Sequence, residues 1–164
     1  MKRVLLSLIF VFIITFSFAQ YPKIVAGTLK RYDSFPSIFV SARNVDVWLH
    51  DGYDASKKYN VLYMHDGQML FDSANTWNHT AWEVDDVVTK LLNENKIKDV
   101  IVVSIWNGGK TRHADYFPQK PYQSLIQDQK DTVTSQFQRT GKSTEKIQPL
   151  KSIHIGKICL PNLG

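Results

Sequence analysis

Two short polar segments contain glycine and directly follow apolar runs. Residues 65–68 read His-Asp-Gly-Gln after the apolar run 61–64, and residues 106–109 read Trp-Asn-Gly-Gly after the apolar run 100–105. A glycine in such a loop allows the backbone to turn tightly and to present an N–H to a bound group. One donor that binds an oxyanion contributes about 2.7–4 kcal/mol in acyl transfer. The same residues are also typical of plain turns, and spacing alone leaves both interpretations open.

The two apolar runs are predicted to be parallel strands of one sheet. Both are short and almost continuously apolar, which is typical of strands buried on both faces. A strand, a crossing helix and a second strand form a right-handed βαβ unit. Because the carboxyl ends of parallel strands lie at one edge of a sheet, we expect the two polar segments to meet there. Apolar residues between the runs recur at three- and four-residue steps and predict the crossing helix: Val84, Val87, Val88, Leu91 and Leu92.

The predicted helix has sequence signals at both ends. Thr80 and Glu83 have the spacing of a capping box, in which each side chain accepts a hydrogen bond from a backbone N–H near the other. Asp85 and Asp86 also lie in the first turn, where the helix dipole favours negative charge by about 0.3–1 kcal/mol each. The helix is expected to end around residues 93–95.

Two further strands are predicted before this unit. Residues 25–32 favour a strand, and apolar and polar residues alternate from Asn44 to Leu49 as in a half-buried strand. The predicted fold class is therefore α/β, with antiparallel first strands followed by a parallel βαβ unit. The last predicted strand, residues 100–105, is expected to leave an unpaired apolar edge.

The first nineteen residues have the composition of an export signal. Lys2 and Arg3 give a positive start, and residues 4–18 are apolar except for three hydroxyl residues. Ser17 and Ala19 place small residues at the positions that a signal peptidase reads. The run is short for a transmembrane helix, which needs about 20 residues, and no later segment is long and apolar enough. We expect cleavage after Ala19 and an exported product, periplasmic or secreted, with an uncleaved anchor as the alternative.

Composition and charge exclude several classes of protein. With 43% hydrophobic and 21% charged residues, the chain is typical of globular proteins. Its single cysteine, Cys159, excludes an internal disulfide, and no spacing resembles a zinc site, so we expect no metal and no other cofactor. The net charge of +5 comes from the chain ends, because residues 20–138 contain 13 basic and 14 acidic side chains. A nucleic-acid partner is therefore not expected.

The order of the motifs resembles the putative-esterase (esterase D-like) family of α/β hydrolases, which includes enterochelin-esterase-like and feruloyl-esterase-like enzymes. The resemblance is good over about residues 40–122 and looser to about 150. It implies an incomplete α/β-hydrolase domain over residues 20–150, after a signal peptide at 1–19 and before a non-matching tail at 151–164. The similar segments are residues 44–49, 51–53, 61–68, 76–77, 82–85, 100–105 and 112–118, the last of which fits Arg-x-x-acid-aromatic-x-Pro.

The resemblance also implies roles for individual residues. Members of the family are serine hydrolases with a Ser-His-Asp triad. The oxyanion donor would be the backbone N–H of Gln68, with Gly67 permitting the turn. Trp106, Asn107 and Tyr116 belong to the loop that would line the acyl or alcohol pocket. The implied substrate is a small-molecule or glycan-linked ester.

Other residues near this loop have structural roles in this interpretation. Arg112 and Asp115 are expected to form an ion pair that fixes the loop from residue 106 to residue 116. Trp77, Trp82 and Trp106 could stack on a sugar or an aromatic acyl group, but Trp82 at least is expected to pack in the core.

The nucleophile motif of the family, Gly-x-Ser-x-Gly, does not occur in the 164 residues. The nearest sequence is Gly-Lys-Ser-Thr-Glu at 141–145, which ends in glutamate and follows no buried strand. Four of the five histidines precede any position that the nucleophile could take, and His154 has no family-like surroundings. We therefore expect the chain to be the N-terminal part of an esterase, truncated before the nucleophile elbow and inactive by itself.

A second interpretation belongs to a different functional class. The chain could be a non-catalytic exported module that keeps the aromatic loop and binds a glycan or a siderophore-like ligand. Ester turnover that a serine-directed phosphonate blocks would contradict a missing nucleophile. Ligand binding without turnover would favour the module.

Overall fold

A four-stranded mixed sheet forms the centre of the molecule. The structure is a computed structural model that describes residues 21–38 and 40–139. The predicted signal peptide at 1–19 and the predicted tail at 151–164 lie outside these residues. The strands are β1 (Thr28–Phe35), β2 (Arg43–Leu49), β3 (Asn60–Met64) and β4 (Val100–Ile105).

The order of strands across the sheet is β1-β2-β4-β3. Strand β2 pairs antiparallel with β1 and with β4, whereas β3 and β4 are parallel. This confirms the α/β fold class, with antiparallel first strands and then a parallel unit. The expectation that β4 is the free edge is wrong. The crossover from β3 places β4 beside β2, so β4 has a neighbour on each side, and β3 lies at the edge of the sheet that the described residues form.

Within the described residues, one α-helix crosses from β3 to β4, and three further α-helices follow β4. The crossover helix α1 ends at Asn93, as predicted, but the predicted capping box is wrong. Glu83 is the N-cap in a left-handed conformation, and its side chain makes no capping hydrogen bond. The Val84 N–H donates instead to the Leu70 carbonyl at 3.0 Å. No helix in the described part of the chain is long and apolar enough to cross a membrane. The helices are α1 (Val84–Asn93), α2 (Arg112–Tyr116), α3 (Gln119–Ser124) and α4 (Gln127–Arg139).

Each face of the sheet has its own apolar cluster. Trp48 on β2 and Val102 on β4 pack with Val88 of α1 on one face. Val47 and Val103, on the same two strands, belong to the cluster on the opposite face. Alternate residues of a strand point to opposite faces, so β2 and β4 contribute to both clusters. Full burial of one such side chain contributes about 1.5–3 kcal/mol, and these two strands therefore anchor the fold.

Carboxylates hold the segment that precedes β1. Asp72 accepts the backbone N–H of Lys23 at 2.9 Å, and Asp85 accepts that of Val25 at 2.5 Å. Asp85 lies in the first turn of α1, as predicted, and it is buried. The Asp85 carboxylate therefore has two roles: it lies where the helix dipole favours negative charge, and it binds the segment that leads into β1.

Strand β3 is exposed, although its apolar run predicts burial on both faces. Val61, Leu62 and Tyr63 are 43%, 43% and 37% exposed. Side chains alternate along a strand, so both faces of β3 are partly exposed in the described part of the chain, although Met64 at its end packs against the cluster that contains Trp48. An apolar edge strand without charged side chains is a template for association with another strand.

We expect Val61→Lys to reduce self-association of the purified chain, because a charge on the edge opposes pairing with a second strand. Ile126→Lys is the matched control, since Ile126 is 65% exposed between α3 and α4 and the variant gains the same charge. Sedimentation velocity over a range of concentrations measures the association. Equal behaviour of the two variants would contradict a role for the β3 edge.

Candidate functional site

The polar loops after β3 and β4 meet at one edge of the sheet. Asn107 joins them twice, because its Nδ2 donates to Asp66 at 2.6 Å and its backbone N–H donates to Oε1 of Gln68 at 3.2 Å. The buried Ser104 hydroxyl on β4 donates to the Gly67 carbonyl at 3.1 Å. The parallel register, in which Met64 pairs with Ser104, brings the two loops to the same level.

Close packing, and not an unusual dihedral angle, requires glycine at position 67. A Cβ at Gly67 would lie 2.5 Å from Oγ of Ser104 and 2.7 Å from Cδ1 of Trp106. The left-handed residue of this turn is Asp66, with φ 54° and ψ 45°. Aspartate is one of the few residue types that adopt this conformation without glycine's freedom. Gly67 thus allows the loop to lie against β4, while Asp66 supplies the change of direction.

Residues Gly67–Met69 form a single 3₁₀ turn that carries the Gln68 amide. The first hydrogen bond of the turn runs from the Met69 N–H to the Asp66 carbonyl at 2.8 Å. The N–H of Gln68 precedes this bond, so the turn supplies no acceptor for it. Gln68 is half-buried, and its backbone N–H can therefore serve as a donor to a bound oxygen.

The Asp66 carboxylate is the centre of the polar contacts at this edge. Arg112 donates to it through Nε at 2.8 Å and through Nη2 at 2.6 Å. Asn107 and the Tyr116 hydroxyl also donate to it, the latter at 3.3 Å. The Arg112 hydrogen bonds hold the pKa of Asp66 below its ordinary value, although burial acts in the opposite direction. The carboxylate is therefore charged and bound by three side chains.

The predicted ion pair between Arg112 and Asp115 is wrong. Arg112 binds Asp66, while Asp115 accepts the Thr111 hydroxyl at 2.8 Å and lies 3.5 Å from Nη2 of Arg43. Both residues belong to the Arg-x-x-acid segment of the family resemblance, from which the pair was expected. A two-pronged contact between guanidinium and carboxylate is stronger than a single one, and Asp66 offers it.

The Trp106 indole is held by a hydrogen bond from its N–H and by a cation that lies over its ring. Its Nε1 donates to Asp46 at 2.7 Å, and the Arg31 guanidinium lies 4.6 Å from the ring centroid. Arg31 also binds Asp46, through Nε at 2.7 Å and Nη2 at 2.9 Å. This buried ion pair on β1 and β2 therefore sets the orientation of the first residue of the loop after β4.

Tyr116 lies at the other end of the same loop. Its ring packs edge-on against the His65 ring, with the centroids 5.4 Å apart. Burial raises the pKa of the Tyr116 hydroxyl, and the negative charge of Asp66 acts in the same direction. The hydroxyl consequently remains a neutral donor to Asp66.

Hydrogen bonds link three of the predicted site residues: Asn107 donates to Gln68, and both Asn107 and Tyr116 donate to Asp66. Among the described residues, no group of three His, Cys, Asp or Glu side chains could hold a metal ion.

Trp77 and Trp82 are 83% and 48% exposed, so the expected core packing of Trp82 is wrong. Its backbone N–H donates to the Met69 carbonyl at 2.9 Å, which fixes its main chain and leaves its ring at the surface. The predicted site residues are Gly67, Gln68, Trp106, Asn107 and Tyr116.

Sequence analysis missed three residues that organise the site. Asp66 was part of a turn motif, and nothing in its neighbours along the chain indicates a partner at Arg112. Asp46 occupies a polar position of an alternating strand, which predicts exposure, yet it is fully buried. Arg31 lies directly opposite Asp46 in the register of β1 and β2. Opposite charges on neighbouring strands were the available signal for that pair.

Comparisons with known proteins add to this geometry. A protein-family model described as "Putative esterase" matches residues 37–142. One similar solved structure is the CE1 ferulic acid esterase AmCE1/Fae1A from the anaerobic fungus Anaeromyces mucronatus, determined in the absence of substrate. Its sequence is 25% identical to this chain and the TM-score is 0.38; the match covers 53% of this chain and 31% of that protein. Its complex with ferulic acid gives 22% identity, a TM-score of 0.40 and coverage of 73% and 45%.

A third solved structure, of a protein named FAE, is 25% identical with a TM-score of 0.41. The match covers 65% of this chain and 36% of that protein. The chain therefore spans less than half the length of each of these solved proteins.

Proposed function

Because the chain belongs to the esterase family whose model matches residues 37–142, we propose that it is the N-terminal part of a carboxylic-ester hydrolase. In this proposal the chain supplies an oxyanion donor and one wall of the substrate pocket, but no nucleophile. The observation that carries the proposal is the meeting of the loops after β3 and β4 around Gln68, whose N–H precedes the first hydrogen bond of its turn.

The chemistry of ester hydrolysis explains why this arrangement is useful. A serine hydrolase forms a tetrahedral intermediate in which the former carbonyl oxygen is negatively charged. A backbone N–H about 3 Å from that oxygen stabilises the intermediate more than the planar ester. The hydrogen bonds from Ser104 on β4 to the Gly67 carbonyl and from the Asn107 N–H to the Gln68 side chain hold the turn that carries Gln68. The donor therefore needs little reorganisation during the reaction.

Ser104 is the serine at this edge of the sheet, and its contacts do not suit attack on an ester. Its side chain is fully buried, and its hydroxyl donates to the Gly67 carbonyl at 3.1 Å. A nucleophilic serine must instead give its proton to a neighbouring base. Because Gly-x-Ser-x-Gly does not occur in the sequence either, we propose that the chain is truncated before its nucleophile elbow and that acylation needs residues it does not contain.

The proposed substrate is a small-molecule or glycan-linked ester. Trp106, Asn107 and Tyr116 would border its acyl or alcohol part, since their loop adjoins the Gln68 turn. The proposed location is the periplasm or the extracellular space. The positive start and the apolar run within residues 1–19 support this location.

We expect the purified chain to hydrolyse p-nitrophenyl acetate no faster than a buffer blank and to gain no mass from a fluorophosphonate probe, because the Gly-x-Ser-x-Gly motif of an activated serine does not occur in its sequence. Intact-protein mass spectrometry measures the label, and near-ultraviolet circular dichroism verifies that the sample is folded. A complete serine esterase treated in parallel is the positive control. A label on any serine of the chain would contradict the missing nucleophile, and glycan binding without turnover would favour a non-catalytic module.

A further inference from the structure

We propose that Asp66 is a positioning residue for the Gln68 amide and that Arg112 is the counter-ion that holds it in place. This inference rests on the proposed function, because it concerns the donor that would bind the oxyanion. Neither side chain needs to touch a substrate for this role. Asp66 would act through the backbone of the turn that it begins.

The backbone of Asp66 is in a conformation that side chains other than glycine rarely adopt. Its φ of 54° and ψ of 45° lie in the left-handed region. Such a residue persists when its surroundings hold it there. Asp66 is buried, and the hydrogen bonds that Arg112, Asn107 and Tyr116 donate to its carboxylate can supply that constraint.

The donors to the Asp66 carboxylate come from the loop after β4 and from α2. Arg112 contributes Nε and Nη2, Asn107 contributes Nδ2, and Tyr116 contributes its hydroxyl. The carboxylate thus ties the start of the turn after β3 to three side chains that follow β4. Charge on both partners of the Arg112 contact strengthens this connection.

The position of Asp66 is transmitted to Gln68 by two routes. The Asp66 carbonyl accepts the Met69 N–H at 2.8 Å, which closes the turn around Gln68. Asn107 binds the Asp66 carboxylate with its side chain and the Gln68 side chain with its backbone N–H. A displacement of Asp66 would therefore change the direction of the Gln68 N–H, while the apolar clusters on the two faces of the sheet remain intact.

The test is an NMR titration of the full chain, labelled with ¹⁵N, with phenylphosphonate. This probe has a tetrahedral group with charged oxygens and an aromatic ring. We expect saturable movement of the Gln68 amide cross-peak in the wild type. Asp66→Asn keeps the shape of the side chain and also tolerates a left-handed backbone, but it removes the charge. We expect its apparent Kd for the probe to rise at least tenfold while the spectrum stays dispersed.

Asp115→Asn is the matched control. Asp115 is also a carboxylate near an arginine in the segment after β4, but its partners are Thr111 and Arg43. We expect this variant to bind the probe as the wild type does. A loss of affinity in Asp115→Asn as large as that in Asp66→Asn would overturn the specific role of Asp66.

The remaining outcomes separate this inference from the proposed function. A wild-type Gln68 cross-peak that does not move would overturn both. A cross-peak that moves equally in the wild type and in Asp66→Asn would overturn the positioning role alone.

Should Asp66→Asn lose its dispersed spectrum, Arg112→Lys takes its place, because it keeps the positive charge and removes the two-pronged contact. Its Kd is expected to rise at least threefold, and an unchanged Kd would overturn the inference.

Discussion

Gly67→Ala is expected to lower the free energy of unfolding by about 3 kcal/mol, the upper end of the range for overpacked sites. The added Cβ would lie 2.5 Å from Oγ of Ser104, 2.7 Å from Cδ1 of Trp106 and 2.9 Å from the main-chain carbon of Ile105. The side chains could rotate away, but a main-chain atom of β4 can move only with its strand. The turn that carries Gln68 would therefore separate from β4.

Urea unfolding followed by tryptophan fluorescence measures this loss. Ser104→Ala added to Gly67→Ala removes the shortest contact and leaves the other two, so we expect only part of the stability to return. Gly52→Ala is the control, because a Cβ there meets nothing within 4 Å although φ is 81°. It is expected to lose about 1 kcal/mol for its backbone conformation alone. A loss at Gly67 no larger than that at Gly52 would contradict close packing as the reason for glycine.

Hydrophobic pattern predicted the strands well, but not what covers them. The alternation from Asn44 to Leu49 and the apolar run before Trp106 correspond to β2 and β4, which supply both apolar clusters. The apolar run of β3 predicts equal burial, yet Val61, Leu62 and Tyr63 are 37–43% exposed. An apolar run indicates that a strand can be buried, but whether it is buried depends on the elements that pack against it.

Topology predicted that the two loops meet, but not which side chains bind each other. Parallel strands joined by a crossover place residues 65–68 and 106–109 at one edge whatever their side chains are. The partner of Arg112 depends on the left-handed backbone of Asp66, which brings the carboxylate within 2.6 Å of Nη2. The expected pairing of Arg112 with Asp115, which are three residues apart in the sequence, did not account for this long-range partner. Local spacing is a weak guide where a buried carboxylate has several possible partners.

Arg31→Met is expected to lower the free energy of unfolding by about 3–5 kcal/mol, the range for breaking a buried ion pair on one side. The side chains of Arg31 and Asp46 are 1% and 0% exposed, so the Asp46 charge would stay buried. Within the described residues, the Trp106 indole N–H would then be its one remaining side-chain donor. Trp106 would also lose the cation above its ring. The variant should therefore change the near-ultraviolet circular dichroism of the tryptophans as well as the urea midpoint.

Arg31→Met combined with Asp46→Leu should recover most of this loss, because the pair itself contributes little net stability. Within the described residues, Nη1 of Arg31 is buried without a hydrogen-bond partner, so removing both charges also removes an unsatisfied donor. The recovered fold should still differ at Trp106, whose Nε1 would have lost its acceptor at Asp46. Full stability with an unaltered tryptophan signal would mean that the ion pair does not orient the loop. A double variant as unstable as Arg31→Met would mean that the pair contributes net stability, and that the uncompensated charge of Asp46 does not explain the loss.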